Sequence, residues 1–433
     1  MSRGRPPLRI TQPGVLLTVI AALAVVTTSA LAQIRIEVPK PGGAGVPIAL
    51  SPLSNPDSHA ERQIGETFAS TIARDLTLSG LFRVLDQRAY IEGPEGFVLD
   101  RINFQNWSVL DALALVKGGF WLNGERLTIE ARLFDVTQQK QLGGRRYIGH
   151  KRDVRRMAHR FADQIMLFLT GEEGPFNSKI AFISNRVDGR TKEVYVTDLS
   201  GSEVRRVTQD RTLSLGPGWS PTGAELLFIS YKQGGPHSFK LDLATGRSVR
   251  LDARIAYGAS WSPDGTRIAV SLDQNGNADL FLLSSQGQLI RRLTHHSGID
   301  VSPAWSPDGR QLAFCSSRSG SPQIYVMDIE TGQSKRITFQ GAYNTDPAWS
   351  PKEDQIAYTS RSGGFRVMWI DPNGGEARHI VRGEHPSWSP DGRYLAVTRR
   401  GRLYLASRDG QSIQQLTGGS GNDTSPAWSP RLP

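Results

Sequence analysis

Pro303-Ala304-Trp305-Ser306-Pro307-Asp308-Gly309 is the fullest copy of a phrase that the chain repeats six times. Its core, Trp-Ser-Pro, recurs with tryptophans at Trp219, Trp261, Trp305, Trp349, Trp388 and Trp428, in steps of 42, 44, 44, 39 and 40 residues. A four-stranded propeller blade needs about that length. After Trp305 come Leu312-Ala313-Phe314, then Gln323 to Asp328, then Thr331-Gly332, then Arg336-Ile337-Thr338. These read as four short strands, A to D, divided by turns. Asp308-Gly309, Asp264-Gly265 and Asp391-Gly392 mark the A–B hairpin, because glycine accepts positive φ without a steric cost. Thr222-Gly223 and Glu353-Asp354 depart from that pattern. Seven residues separate each of the first five tryptophans from the first apolar residue of strand B: Leu226, Ile268, Leu312, Ile356 and Leu395.

The two ends of the array are incomplete in complementary ways. Ile180-Ala181-Phe182 reads as a strand B with no Trp-Ser-Pro ahead of it, and Trp428 has no strand B behind it. Joined, they complete one blade. The expected fold over residues 172–433 is therefore an all-β six-bladed β-propeller closed by its C-terminal strand, which hides the sheet edges. Proline lacks a ladder donor, so Pro in strand A suits the free edge facing a central channel. The tryptophans read as core between blades rather than as ligand platforms.

Residues 33–171 carry a different pattern and read as an α/β domain. Ile64, Phe68, Ile72 and Leu76 predict a helix from Arg62 to Ser79 ended by Gly80. A second helix is expected from Trp107 to Val116, capped by Asn106. Leu127 to Leu133 alternates as a strand, with Arg145 to Ile148 as its hairpin partner. Val154, Met157, Phe161, Ile165 and Phe168 line a long helix ending at Gly171, and Gly171 to Asn177 is the expected hinge. Residues 1–32 read as a signal peptide: Arg3, Arg5 and Arg9 precede the apolar run Val15 to Val26, and Ala30-Leu31-Ala32 supplies the small residues a peptidase needs.

Of 433 residues, 38% are hydrophobic and 21% charged, which argues against disorder. The formal charge of +10 falls to +7 without the three signal arginines. Nothing in the spacing suggests nucleic acid or membrane insertion, and a monomer is expected. The single cysteine, Cys315, lies in a predicted strand and excludes an intramolecular disulfide. No Gly-x-Ser-x-Gly elbow occurs, since Gly418-Gly419-Ser420-Gly421 is followed by Asn422. No His-Glu-x-x-His or Cys-x-x-Cys metal motif occurs either, and no cofactor is expected. One enzymatic alternative remains, a hydrolase or lactonase holding an axial metal on Asp300, Asp346 and Asp423.

Two segments are candidates for binding. The loops entering strand A open at the channel mouth and present Tyr257, Asp300 and Val301, Asn344, Thr345 and Asp346, His385, and Asn422, Asp423 and Thr424. Their polar groups suit a peptide-like ligand, and equally suit Asx-type turns before each strand. The other is Gln33-Ile34-Arg35-Ile36-Glu37-Val38, an alternating hexamer on a Pro/Gly leash. It reads either as a strand donated to another protein's sheet or as the first strand of its own domain.

Taken together these features resemble the TolB family, the periplasmic component of the Tol–Pal system. Gln33–Val38 is similar to the family's TolA-binding segment. Ile72-Ala73-Arg74-Asp75-Leu76 with Ser79-Gly80-Leu81-Phe82 resembles its first-helix motif. Ala158 to Asp163 followed by Leu169-Thr170-Gly171-Glu172 resembles its interdomain helix, and Pro426-Ala427-Trp428-Ser429-Pro430 its C-terminus. The resemblance implies a bridge between inner-membrane TolA, bound by Gln33–Val38, and the outer-membrane lipoprotein Pal, bound at one mouth of the channel. It further implies a role in outer-membrane integrity and in invagination at division, and a segment at the N-terminus that switches between docked and free.

Overall fold

The computed structural model describes residues 45–56, 61–252 and 256–432. The expected signal peptide and Gln33–Val38 lie outside the described residues. The N-terminal part runs β1 (Val46–Leu50), α1 (Arg62–Ser79), β2 (Phe82–Val84), α2 (Phe104–Ser108), β3 (Ala114–Asn123), β4 (Arg126–Asp135), β5 (Lys140–His150) and α3 (Val154–Thr170). Its sheet has the order β2-β1-β3-β4-β5, with β1 parallel to both neighbours and the remaining pairs antiparallel. Phe68, Ile72 and Leu76 of α1 meet Phe161 and Ile165 of α3 in one buried core. Each such side chain contributes about 1.5–3 kcal/mol on burial. Gly80 (φ 67) and Gly171 (φ 79) end the two helices in the left-handed conformation.

The expected helix from Trp107 to Val116 is corrected. The helix is the five-residue α2, capped by Asn103, whose side chain accepts from the Gln105 N–H. Ala114 onward is strand β3, sandwiched between β1 and β4 and buried along its first seven residues. A strand covered on both faces loses its alternation, so its apolar run is easily mistaken for a helix.

Six four-stranded sheets follow. Blade 1 takes strand A from Asp423–Trp428 and strands B to D from Lys179–Ser184, Glu193–Asp198 and Arg205–Arg206. The strands A of blades 2 to 6 are Ser214–Trp219, Ala256–Trp261, Asp300–Trp305, Asn344–Trp349 and Glu384–Trp388, each on the edge of its sheet. The first and last strands of the propeller thus meet in blade 1, where Thr424 pairs with Ile183 and Trp428 with Ile180. Ser429 N–H to the Lys179 carbonyl (2.8 Å) and Leu432 N–H to the Asn177 carbonyl (2.9 Å) extend the seam.

Local chemistry explains the repeated phrase. The buried Ser306 hydroxyl donates to Asp308 (2.6 Å) and accepts from Gln311 N–H (2.9 Å), tying the Asp-Gly turn into both strands. Ser262 and Ser389 do the same. The indole N–H of Trp219 donates to the Ala427 carbonyl, that of Trp305 to Ser260, and that of Trp388 to Ala348, at 3.0–3.1 Å. Each of these bonds reaches the preceding blade, so these three tryptophans are stitches between blades, whereas the indole N–H groups of Trp261 and Trp349 have no partner and that of Trp428 donates to the Ser178 hydroxyl.

The N-terminal domain and the propeller share a core that includes Leu76, Phe161, Phe176, Tyr394 and Trp428. The expected hinge at 171–177 is held: the buried Asp163 carboxylate accepts from Phe176 N–H (2.7 Å) and Asn177 N–H (2.9 Å). His159 on α3 lies between Asp75 of α1 at 2.7 Å and Asp198 of blade 1 at 3.9 Å. Burial alone would lower its pKa, but the two carboxylates outweigh burial and push it up to about 10. Tyr394 donates to the Ser79 carbonyl (2.9 Å). These contacts lie where strand B begins and strand C ends, so the opposite end of the blades is left to the D–A and B–C loops.

Candidate functional site at the channel mouth

All six strands A converge on an axial cavity of about 320 Å³. Its wall is a repeated dipeptide three residues before each tryptophan: Gly216-Pro217, Gly258-Ala259, Ser302-Pro303, Asp346-Pro347, His385-Pro386 and Ser425-Pro426. The ladder slips at these places. Val301 pairs with Cys315 while Ala304 pairs with Ala313, which leaves two residues of strand A opposite one. The bulge drives its first residue to positive φ: Gly216 (53), Ser302 (55), Asp346 (51), His385 (53) and Ser425 (50). Blade 3 differs, with its slip one place earlier, between Ala256 and Gly258.

Four non-glycine residues in the left-handed region cost about 1 kcal/mol each. Two of them are held by the neighbouring blade. His385 N–H donates to the Thr359 hydroxyl (2.9 Å), and Ser425 N–H to the Thr398 hydroxyl (3.2 Å), in each case on strand B of the preceding blade. Strain of this kind clusters at binding sites, where it presents backbone groups in a fixed array. His385 Nε2 stands 4.0 Å from Asp346 Oδ2 of the adjacent blade, both a third exposed, and the buried His385 Nδ1 has no hydrogen-bond partner.

Two exposed aromatic side chains, Tyr231 and Tyr257, line the cavity. Leu213, Ile299, Phe339 and Phe365 sit elsewhere in the D–A or B–C loops at this end, or at the strand ends beside them, and the six are between 36% and 71% exposed.

The expected site residues divide into two groups. Tyr257, Asp346 and His385 line the cavity. Val301, Thr345 and Thr424 are half-buried beside it, and Asn422 is exposed on the rim. Asp300, Asn344 and Asp423 require a correction, because they are wholly buried and face into their blades. Asp300 binds Arg318 (2.7 Å). Asp423 accepts from Arg186 (2.8 Å to each oxygen) and from Ser184 (2.6 Å). Asn344 donates to Gln323 Oε1 and the Gln340 carbonyl, both at 2.9 Å. A carboxylate with its charge already matched inside the sheet is not offered to a ligand, so Asp300, Asp346 and Asp423 do not converge on the axis. Among the described residues no group of three or more His, Cys, Asp or Glu is placed to hold a metal. Cys315 is buried, and burial pushes its thiol up to about 12. Ser302, at the end of the expected mouth loop 299–302, belongs to the wall, and so does Ser425, which sequence reading did not select. Its signal is the position just before Pro, three residues ahead of Trp.

The family model described as the TolB amino-terminal domain matches residues 34–142, and that of the TolB beta propeller domain matches 167–432. The crystal structure of TolB from Acinetobacter baumannii superposes with a TM-score of 0.78 at 26% identity, over 90% of this chain and 98% of that one. A Tol-Pal system protein TolB from Syntrophotalea carbinolica is 41% identical over 215 residues, 48% of this chain and 49% of the relative. One from Desulfosudis oleivorans is 36% identical over 58% of each chain. The matched stretches thus span about half the length of these curated relatives. No described helix is long and apolar enough to cross a membrane. Both domain models, in chain order, and the superposed structure agree: the chain belongs to the TolB family.

Proposed function

We propose that this chain is the periplasmic, non-enzymatic protein-binding component of a Tol–Pal system. It grips the lipoprotein Pal at the channel mouth and offers Gln33–Val38 to TolA. It thereby links the two membranes, maintains the outer membrane and supports its invagination at division. The observation that carries this reading is the mouth itself. Strained backbone, tied at His385 and Ser425 to the adjoining blade, surrounds an axial cavity on whose lining Tyr231 and Tyr257 stand exposed. A rigid concavity with exposed aromatic side chains fits an ordered loop or peptide and loses little entropy on binding. Membership of the family supports the identity of the partners.

The test is paired affinity measurement. Tyr257→Ala with His385→Ala should weaken Pal binding by about tenfold or more, the usual cost of removing central anchors, and leave TolA capture intact. Deleting Ile34 to Val38 should abolish TolA capture and leave Pal binding. Full Pal affinity in the double variant contradicts the mouth assignment; full TolA capture in the deletion contradicts the segment assignment.

A further inference from the structure

At the mouth end four cations are matched by carboxylates: Arg186 by Asp423 (2.8 Å), Lys232 by Asp210 (3.3 Å), Arg292 by Asp279 (2.6 Å) and Arg318 by Asp300 (2.7 Å). Between blades 5 and 6 no such pair forms. Five residues before the tryptophan, where blades 4 and 1 carry Asp300 and Asp423, blades 2, 3 and 5 carry Ser214, Ala256 and Asn344, and blade 6 carries Gly383, which brings no side chain. Around that gap is a cleft of about 250 Å³ lined by Arg366, Arg382, Arg399 and Arg400, with Glu384 as its single acid. The formal charge of these five groups is +3. Among the described residues, none of the four guanidinium groups has a carboxylate within 4.0 Å.

The arrangement is costly as bare structure. Arg366 and Arg382 are directly opposed in the ladder, a placement that destabilises when the charges are alike. Arg400 is held at positive φ (51). The positive field reaches along the strand: burial, then Arg366 and Arg382, lower the pKa of His379, which lies on the same strand as Arg382. An anion in the cleft would replace the missing carboxylate and remove the repulsion. Guanidinium forks match the oxygens of phosphate in pairs. A phosphate of about −2 balances +3 better than a single carboxylate does.

We propose that this cleft, beside the channel mouth but separate from it, binds a phosphate group, either free or on a lipid headgroup. The site does not depend on Pal binding. The experiment titrates inorganic phosphate into the purified protein by calorimetry at about 50 mM ionic strength, where surface electrostatics are weakly screened. One saturable site is expected. Arg366→Gln with Arg399→Gln should weaken it by about tenfold or more, the loss of charge-assisted bonds from two guanidinium groups. Arg382→Ala with Arg400→Ala removes two exposed side chains and the like charge opposite Arg366, so the same loss is expected with a melting midpoint in phosphate-free buffer no lower than that of the native protein. Co-sedimentation with vesicles of phosphatidic acid in phosphatidylcholine, against phosphatidylcholine alone, separates the sources. Binding to the acidic vesicles that the variants lose supports a headgroup; phosphate binding without vesicle binding supports the free anion. Absence of both, or binding that survives both double variants, overturns the proposal. Loss of Pal affinity in Arg382→Ala/Arg400→Ala with no phosphate binding overturns it in favour of an acidic partner segment, while the channel-mouth reading stands.

Discussion

Replacing Asp423 by alanine should release the strand that closes the ring. The Asp423 carboxylate is fully buried and accepts two bonds from Arg186 and one from Ser184, each within 2.8 Å. Removing one partner of a buried ion pair costs about 3–5 kcal/mol. The Arg186 side chain is 20% exposed and regains some hydration, which places the cost near the lower bound. The loss falls on a seam that joins residues 177–184 to 423–432. Opening that seam unravels no other strand, because Asp423–Trp428 is the inner edge of blade 1. About 3 kcal/mol corresponds to roughly a 100-fold rise in the population of the opened form. Native-state amide exchange reads it directly at Ser429 and Leu432, whose N–H groups bond across the seam. Asp300→Ala is the control. Its carboxylate is equally buried and bonds Arg318 at 2.7 Å, but both flanks of its strand remain in continuous chain. Protons at 429 and 432 should therefore exchange about 100-fold faster in Asp423→Ala and at the native rate in Asp300→Ala. Equal rates in the two variants would refute the claim that this strand is a separately opening clasp.

Acidity tests the contact between domains. His159 titrates at about 10 when folded against 6.5 unfolded. Its contribution is therefore fully present below pH 6.5 and lost as pH rises through 10; urea unfolding across that range should show a decline that His159→Gln flattens. Asp163 has the opposite consequence. Burial raises it to about 7 despite its two backbone bonds. The folded state then holds a proton that the unfolded state has released, so stability falls as pH rises from about 4 to 7, and Asp163→Asn removes that slope. Trp388→Phe deletes an indole donor and leaves the Ala348 carbonyl short of one bond, which costs about 1 kcal/mol beyond the change in packing. Trp349→Phe lacks this cost, because the Trp349 indole N–H has no partner, and chemical denaturation should rank the two accordingly. Lys117→Met leaves the half-buried Glu92 carboxylate without its ammonium partner, so a loss of about 2–4 kcal/mol is expected by the same measurement.

The propeller was legible because its turn chemistry is local and repeated. Trp305, Ser306, Asp308 and Gly309 each act within a few residues of themselves, and six copies expose the period. Closure was legible because Trp428 and Ile180 each lacked a partner that only the other supplied. The stretch after Trp107 was misread because burial of β3 on both faces erased the alternation that distinguishes a strand. At the mouth, sequence position located the loops but not the direction of their side chains. Asn344 shares a strand with Asp346, and Asp300 and Asp423 hold the equivalent place in their own strands A, yet the bulge at Ser302-Pro303 and its equivalents turns the chain just after them. Whether an aspartate faces the axis or an arginine is decided by that slip in register. The arginine cleft was illegible for a related reason. It is defined by side chains brought together from two blades, with Glu384 as the single acid among four arginines.

The central claim is that the end of the propeller away from the N-terminal domain is the face that meets Pal. Site-specific photocrosslinking addresses it directly, with the photoreactive residue placed in turn at Tyr257, Ser302 and His385 on the mouth, and at Thr245 and Thr331 in the C–D turns of the opposite end. Crosslinks to Pal from the first three positions and none from the last two are the predicted result. Crosslinks from Thr245 or Thr331, with none at the mouth, would contradict it.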